Sequence, residues 1–395
     1  ISSKKVIDYF SRVIVMNLKS INIANRMTTQ YLVGFLLAFC SLQSIAADSL
    51  EFRKLNVGLL EQIVIPAYRH LFQSAVALNQ QAIKSCKQPS DVSLNNLRDR
   101  FSSYVNSWMS IEFFRNGPAK YLFRQNRIQY WPDKHNVVGR QLRSLLTDQN
   151  ASLLDHSKFT QLSVGVQGVT ALELLFYGEK AFDSFTNINI AGQFRCQFIQ
   201  AISYNQQVIS EGLIDDWIRQ GDGYRNGLLD ENNNLQVEKD IGIDILRLLY
   251  GEVDSIKTLK IVRPLDKSIE KAKPYRAELW RSGLSMTNIR QNLQTIGLFF
   301  DPVSYVYNFY NLENSVVNQT ETSQSIAIKI DQLIGLSQQQ LAQLSLPINE
   351  AVSDERNRQI LLSLVNSLEQ LANQIKHYTT VVYQSPLGFN SFDGD

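Results

Sequence analysis

The chain of 395 residues is 44% hydrophobic, 10% aromatic and 19% charged, which excludes disordered, collagen-like and disulfide-dense miniature proteins. Its 19 glycines and 9 prolines are few for this length and disfavour a turn-rich all-β fold. Of the 39 basic and 37 acidic residues, 34 and 36 remain after residue 47, so the formal net charge of +2 becomes −2 in the main part of the chain. Without a basic run, that part has no electrostatic footprint for nucleic acid or anionic lipid.

A secretory leader is the first predicted element. Lys19 and Arg26 supply a positive segment, and residues 31–42 form an apolar run of twelve. Small residues at both ends of the tripeptide 44–46 predict cleavage before Ala47. The leader indicates export, to a periplasm or cell envelope.

Two alternatives to a cleaved leader are less favoured. A transmembrane anchor needs more than twelve apolar residues, because at ~1.5 Å each they do not cross a ~30 Å hydrocarbon core. A lipid on Cys40 would require a small residue before it, and Phe39 is bulky. Residues 1–15 precede the first methionine and are interpreted as an over-extended gene start.

Two cysteines, Cys86 and Cys196, remain after the predicted leader. Because exported proteins meet an oxidising compartment, we expect them to form one disulfide. Such a bond would close a loop of about 110 residues and contribute roughly 4–5 kcal/mol in the chain-entropy model. Two separate buried thiols are the alternative.

Apolar residues recur with helical spacing through most of the chain. The pattern predicts helices over 49–87, 90–115, 138–154, 158–178, 191–219, 322–345 and 353–381. The first should be interrupted or bent at Pro66, and Ser90 should cap the second. Residues 220–234 are rich in Gly, Asp and Asn and predict a surface loop at a domain boundary. The predicted units are 1–47 with the leader, an N-terminal bundle 48–232 and a C-terminal bundle 233–395.

A short internal similarity supports two related bundles. Residues 172–179 resemble residues 246–252, and both segments are interpreted as amphipathic helix ends closed by glycine, at Gly178 and Gly251. Duplication would produce this similarity, but so would local helix-ending chemistry alone. The predicted fold class is all-α, with two up-and-down helical bundles.

Common enzyme signatures are missing from the sequence. It contains no Walker loop, no strand-bound Gly-x-Gly-x-x-Gly, no His-Glu-x-x-His and no Cys-x-x-Cys. The four histidines are scattered without ligand spacing, which disfavours a conventional zinc site.

Five ordered segments nevertheless resemble the imelysin family. They are the signature-like 168–173 with its Leu-rich continuation 174–178, the Trp-Pro-Asp segment 127–133, the helix end 112–118, the segment 278–285 and the C-terminal tail 388–395. The resemblance implies an exported, two-domain, all-helical protein with its site in a cleft between the bundles. The family includes proteins described as insulin-cleaving metallopeptidases and relatives tied to bacterial iron uptake. Its site surrounds the His and Glu of a Gly-x-His-x-x-Glu signature, which share one helix face.

This sequence departs from the signature because position 170 is Thr instead of His. A neutral hydroxyl is a weak metal ligand, so the resemblance implies at most weak divalent-cation binding at Glu173, aided by Asp133 or Glu112. The alternative is that Glu173 pairs with a nearby arginine and holds the two domains together. The candidate site residues are Thr170, Glu173, Glu112, Arg127, Asp133, Glu278, Arg281, Ser282 and Ser285, with Arg127 and Arg281 as the candidate partners of Glu173.

Three functions remain open at this stage. The favoured one is an exported imelysin-like binding protein with an interdomain polar site, linked to metal or iron handling and without peptidase activity. The alternatives are a metallopeptidase of the imelysin type and a non-catalytic structural interaction module. The expected partner is a small ligand or a metal ion, with a cell-envelope protein as a further candidate and nucleic acid excluded.

Overall fold

The computed structural model describes residues 48–387 except 180, 188 and 318–324. All regular secondary structure in these residues is helical, with no strand, so the predicted all-α class is confirmed. The predicted leader and the tail 388–395 lie outside the described residues. Within the described part, no helix is both long enough and apolar enough to pass through a bilayer.

The longer helices in this part of the chain are numbered here in chain order. They are α1 (48–87), α2 (Asp91–Met109), α3 (Val137–Asp148), α4 (Val169–Tyr177), α5 (Ile190–Ile218), α6 (235–265), α7 (Ser285–Leu298), α8 (Phe309–Val316), α9 (Ile326–Ala342) and α10 (Glu355–Val382). Shorter helical segments are Gly117–Phe123, Arg124–Ile128, Ala151–Leu154, His156–Phe159, Val164–Val166, Ala181–Thr186, Tyr224–Leu228, Ile269–Lys271, Pro274–Arg276 and Ile348–Ala351.

Two of the long helices, α1 and α6, contain a π-helical segment immediately before a proline. In α1 the segment is Leu60–Val64 before Pro66, and in α6 it is Ile256–Val262 before Pro264. A proline ring has no N–H and collides with the carbonyl one turn earlier, and the wider π turn relieves this conflict. The interruption predicted at Pro66 therefore widens the helix without ending it.

Helix α2 begins as predicted and ends early. Ser90 accepts a hydrogen bond from the backbone N–H of Ser93 (3.2 Å), and the Ser93 hydroxyl accepts one from the N–H of Ser90 (2.8 Å). The predicted end at residue 115 is wrong, because the helix stops at Met109. The chain turns there, and both Phe113 and Phe114 become buried.

The continuous helix predicted over 158–178 is wrong. The segment is split into His156–Phe159, Val164–Val166 and α4. Gly168 lies against the backbone of residue 128, where a β-carbon would be 2.1 Å from the carbonyl oxygen, so tertiary packing sets the break. The helix predicted over 138–154 likewise ends at Asp148, and a separate short turn, Ala151–Leu154, follows.

The interpretation of residues 172–179 and 246–252 as two matching helix ends is also wrong. Gly178 follows the last residue of α4, whereas Gly251 lies inside α6, which continues through its π segment. Helices α7 and α8 were not predicted as elements, and of α6 only the segment 246–252 was predicted to be helical. Helix α6 supplies several of the site residues below.

The helices pack in two sets joined by a shared interior. Helix α1 packs on α2 and α5, while α10 packs on α6 and α9, and α7 contacts both α2 and α9. The buried apolar side chains form one contiguous cluster that includes residues of both sets. A disulfide joins Cys86 at the end of α1 to Cys196 in α5, with the two Cα atoms 5.5 Å apart.

Candidate functional site

The altered signature lies at the start of α4, beside a cavity of about 220 Å³. Thr170 and Glu173 are three residues apart, so they share a helix face and both line this cavity. Asp133 and Trp131 line it from the preceding part of the chain, and residues 275–281 contribute much of the remaining wall. The cavity is therefore formed by residues from both halves of the chain.

Glu173 is only 2% exposed, and its carboxylate is held by the segment opposite. Its Oε1 accepts hydrogen bonds from the backbone N–H (3.0 Å) and the hydroxyl (2.9 Å) of Ser282. The guanidinium of Arg281 lies 4.0 Å from Oε2. Burial raises the pKa of Glu173, while Ser282 and Arg281 partly counteract that shift by favouring the charged form.

The other oxygens of the predicted site are also engaged. The Thr170 hydroxyl donates to the carbonyl of Tyr130 (3.3 Å). The two carboxylate oxygens of Asp133 accept from the N–H groups of Val137 (2.8 Å) and Val138 (2.9 Å), where they anchor the start of α3. Catalytic zinc typically needs three protein ligands, and no group of three His, Cys, Asp or Glu suited to a metal occurs in the described residues. This donor set does not fit a tightly held ion.

Arginines dominate the charge of the cavity wall. Arg263 and Arg276 line it together with Arg281, and neither of the first two forms a hydrogen bond or ion pair within the described chain. Burial lowers the pKa of Arg263, and repulsion by the positive charge of Arg276 lowers it further. The Arg281 guanidinium lies 4.3 Å from the ring centre of Trp280. The cavity is therefore lined by three arginines and by two carboxylates, those of Asp133 and Glu173, and its net charge is positive.

Arg127, the other predicted partner of Glu173, lies elsewhere. Its guanidinium donates to the side-chain oxygens of Gln167 (2.8 Å) and Asn205 (3.3 Å), and it does not line the cavity. Of the two candidate partners, the structure brings only Arg281 to Glu173.

Glu112 and Glu278 belong to a neighbouring buried cluster centred on Lys260. The Lys260 ammonium, in a side chain 3% exposed, binds Glu112, lies 3.1 Å from Glu278 and donates to the side-chain oxygen of Asn292 (2.8 Å). Burial raises the pKa values of Glu112 and Glu278, and Lys260 opposes both shifts. Burial disfavours the ammonium, but the surrounding carboxylates outweigh it and raise the pKa of Lys260. This cluster borders a cavity of about 200 Å³ that shares Trp131 with the first.

Amide side chains complete the buried cluster. Gln129 donates to one oxygen of Glu278 (2.8 Å), and Asn288 donates to the other (2.9 Å). Ser285 donates to the backbone carbonyl of Glu278, so it positions the residue without touching its carboxylate. Apart from Arg127, the predicted residues therefore separate into a Glu173 group and a Lys260 group.

Sequence reasoning missed Lys260 and the unpaired arginines of the first cavity. A signal for Lys260 was present, because it follows Val253 and Ile256 on the apolar stripe of α6 and should point inward. No such pattern marks Arg263 or Arg276. The fold of the segment that joins them brings both to the same cavity.

Comparisons with known proteins agree with this architecture. The imelysin family model matches residues 64–375. An imelysin-like protein from Psychrobacter arcticum has a similar structure, with TM-score 0.69, 20% identity, and coverage of 86% of this chain and 98% of that one. A "putative iron-regulated protein A precursor" from Parabacteroides distasonis aligns with TM-score 0.67 and 12% identity over 83% of this chain and 95% of its own. A search of curated proteins finds no match. The family match spans well over half of the sequence, so the chain belongs to the imelysin family.

Proposed function

We propose that the protein is an exported binding protein whose cavity around Glu173 takes a small anion, and that it is not a peptidase. The observation that carries the proposal is the pair Arg263 and Arg276, two cationic side chains in one cavity that form no hydrogen bond or ion pair with any described residue. Planar guanidinium groups bind carboxylates and phosphates with two parallel hydrogen bonds. The predicted leader supports export.

The size and walls of the cavity limit the ligand. Its volume of about 220 Å³ lies below the ~300–1,000 Å³ typical of sites for drug-sized molecules, so it suits a small carboxylate or phosphate. Tyr275 and Trp280, with ring centres 4.7 Å apart, add an aromatic wall. One structural relative is described as iron-regulated. Carboxylate anions bind ferric iron through hard oxygen atoms, so iron handling by this chain would involve an anionic chelator.

The chemistry at Thr170 argues against the peptidase alternative. A metal-activated water needs a firmly held ion. Here the hydroxyl of Thr170 is engaged with Tyr130, one oxygen of Glu173 is engaged with Ser282, and Asp133 anchors a helix. We therefore derive no catalytic step for this site.

The proposal predicts that anion binding depends on the two unpaired arginines. Isothermal titration with citrate and with inorganic phosphate should give a measurable dissociation constant for at least one of them. The variant Arg263→Gln/Arg276→Gln should weaken that binding at least tenfold, about 1.4 kcal/mol. The exposed Arg69 on α1 provides the control Arg69→Gln, which should bind normally. Absence of binding in the unmodified protein would favour the structural interaction module, and binding that survives in the double variant would contradict an anion site at these two arginines.

A second prediction concerns the altered signature residue. Thr170→His should place an imidazole on the same helix face as Glu173 and raise zinc affinity at least tenfold, about 1.4 kcal/mol. The control Thr170→Val removes the hydrogen bond to Tyr130 without adding a ligand and should bind no better than the unmodified protein. Tight stoichiometric zinc binding by the unmodified protein would contradict the proposal and restore the metallopeptidase reading.

A further inference from the structure

A separate cavity of about 500 Å³ lies against α6. One wall is formed by Asp244, Arg247, Leu248, Gly251 and Glu252 of α6. The opposite wall comes from residues 113–120 and from Tyr224. The cavity shares no lining residue with the one around Glu173, so it constitutes an independent site.

The unusual group in this cavity is the carboxylate of Glu252. The residue is 2% exposed, and neither carboxylate oxygen accepts a hydrogen bond from any described residue. The nearest cation is Arg115, whose Nη2 is 3.8 Å from Oε2, beyond hydrogen-bond distance. Leaving a buried carboxylate without donors is costly, and such groups in folded proteins normally have a partner. Donors from an occupant of the cavity would supply one.

The charges around Glu252 point to a cationic donor. Like-charge repulsion from Glu252 contributes to the raised pKa of the neighbouring Glu112, so the two buried carboxylates interact unfavourably. Arg115, at 3.8 Å, is the one cation within 4 Å of the Glu252 carboxylate among the described residues. An ammonium group bound at Glu252 would place a positive charge beside this carboxylate and supply up to three hydrogen-bond donors.

The rest of the cavity has a different character. Phe113, Tyr224 and Leu248 present apolar surface. The exposed Lys120 adds an ammonium group, and the partly exposed Arg247, which pairs with Asp244 through one nitrogen, adds a guanidinium with further donors. Gly117 allows close packing of this wall, because its φ is +56° and a β-carbon would lie 2.4 Å from the ring of Tyr224. A matching ligand carries an ammonium at one end, an apolar middle and an anionic group at the other.

We propose that this cavity binds a small zwitterionic amino compound, with its ammonium on Glu252 and its carboxylate toward Lys120 and Arg247. The proposal does not depend on anion binding around Glu173. Binding here should persist in the Arg263→Gln/Arg276→Gln variant, whose changed residues do not line this cavity.

The test uses the full chain and three probes of matched length: 6-aminohexanoate, hexylamine and hexanoate. Saturation-transfer NMR should show 6-aminohexanoate bound, hexylamine bound more weakly and hexanoate least. Glu252→Gln should weaken binding of 6-aminohexanoate at least tenfold. The control Glu211→Gln removes the same charge from an exposed position on α5 and should leave binding unchanged.

A second variant guards against a folding defect in Glu252→Gln. Leu248→Trp leaves Glu252 in place and fills the cavity from its partly exposed wall, so it should also abolish binding while circular dichroism stays unchanged. The proposal is overturned if 6-aminohexanoate fails to bind the unmodified protein, if Leu248→Trp binds it normally, or if hexanoate binds as well as 6-aminohexanoate. If 6-aminohexanoate fails to bind the unmodified protein, water molecules donate the hydrogen bonds that the Glu252 carboxylate needs.

Discussion

Replacing Lys260 by methionine should destabilise the protein by about 3–5 kcal/mol, the range found when one partner of a buried ion pair is removed. The ammonium lies beside Glu112 and Glu278 and donates to Asn292, in a side chain that is almost wholly buried. Methionine fills a similar volume, so the loss would come mainly from two carboxylates left without their cation. Urea unfolding followed by circular dichroism measures the difference in unfolding free energy.

The same helix offers a matched control. Lys257 lies three residues earlier, pairs with Asp254 (3.2 Å) and Glu369, and is partly exposed to solvent. Lys257→Met should cost no more than about 1 kcal/mol, because exposed pairs contribute little. A loss at Lys260 no larger than at Lys257 would show that the buried cluster is not held by its ammonium.

The loss at Lys260 should also depend on pH. Without the ammonium, the folded-state pKa values of Glu112 and Glu278, already raised by burial, rise further above their unfolded values. A raised folded pKa gives stability that is present at low pH and lost as the pH increases through that pKa. The destabilisation by Lys260→Met should therefore be smaller at about pH 5 than at about pH 8. Equal losses at both pH values would contradict a charge-based cause.

Removing the disulfide should have the second large effect, a loss of about 4–5 kcal/mol. Cys86 and Cys196 are 110 residues apart in sequence, and the chain-entropy model assigns this stabilisation to the restricted unfolded chain. The variant Cys86→Ser/Cys196→Ser avoids an unpaired thiol and should unfold at correspondingly lower urea concentration. As a control, a reductant should cause a similar loss in the unmodified protein and leave the unfolding free energy of the double variant unchanged.

Thiol labelling checks the pairing directly. Cleavage before Ala47 would remove Cys40, so the denatured, unreduced mature protein should not label, and reduction should expose Cys86 and Cys196. Stoichiometric labelling of both cysteines before reduction would mean that the bond does not form in the isolated protein.

The sequence determined those features that depend on neighbouring residues. Apolar periodicity predicted the all-α class and placed α5 and α10 within two residues of their observed ends. The hydroxyl of Ser90 identified the start of α2, because its capping partner is only three residues away. The resemblance around Glu173 led to the imelysin family, which the family match confirms. Each of these signals is local or is carried by a short string of residue types.

Tertiary structure alone decided the helix breaks and the chemistry of the cavities. The break before Gly168 depends on the backbone of residue 128, about forty positions earlier, which no local pattern encodes. The choice of Arg281 over Arg127 beside Glu173 follows from how distant segments cross, and the meeting of Arg263 with Arg276 follows from the path of the chain that joins them. The electrostatic energy between two charged side chains depends on their distance in space and on their burial, and hardly on their separation in sequence. Residue types and local periodicity therefore identified Glu173 as a candidate, while only the folded chain showed which groups surround it.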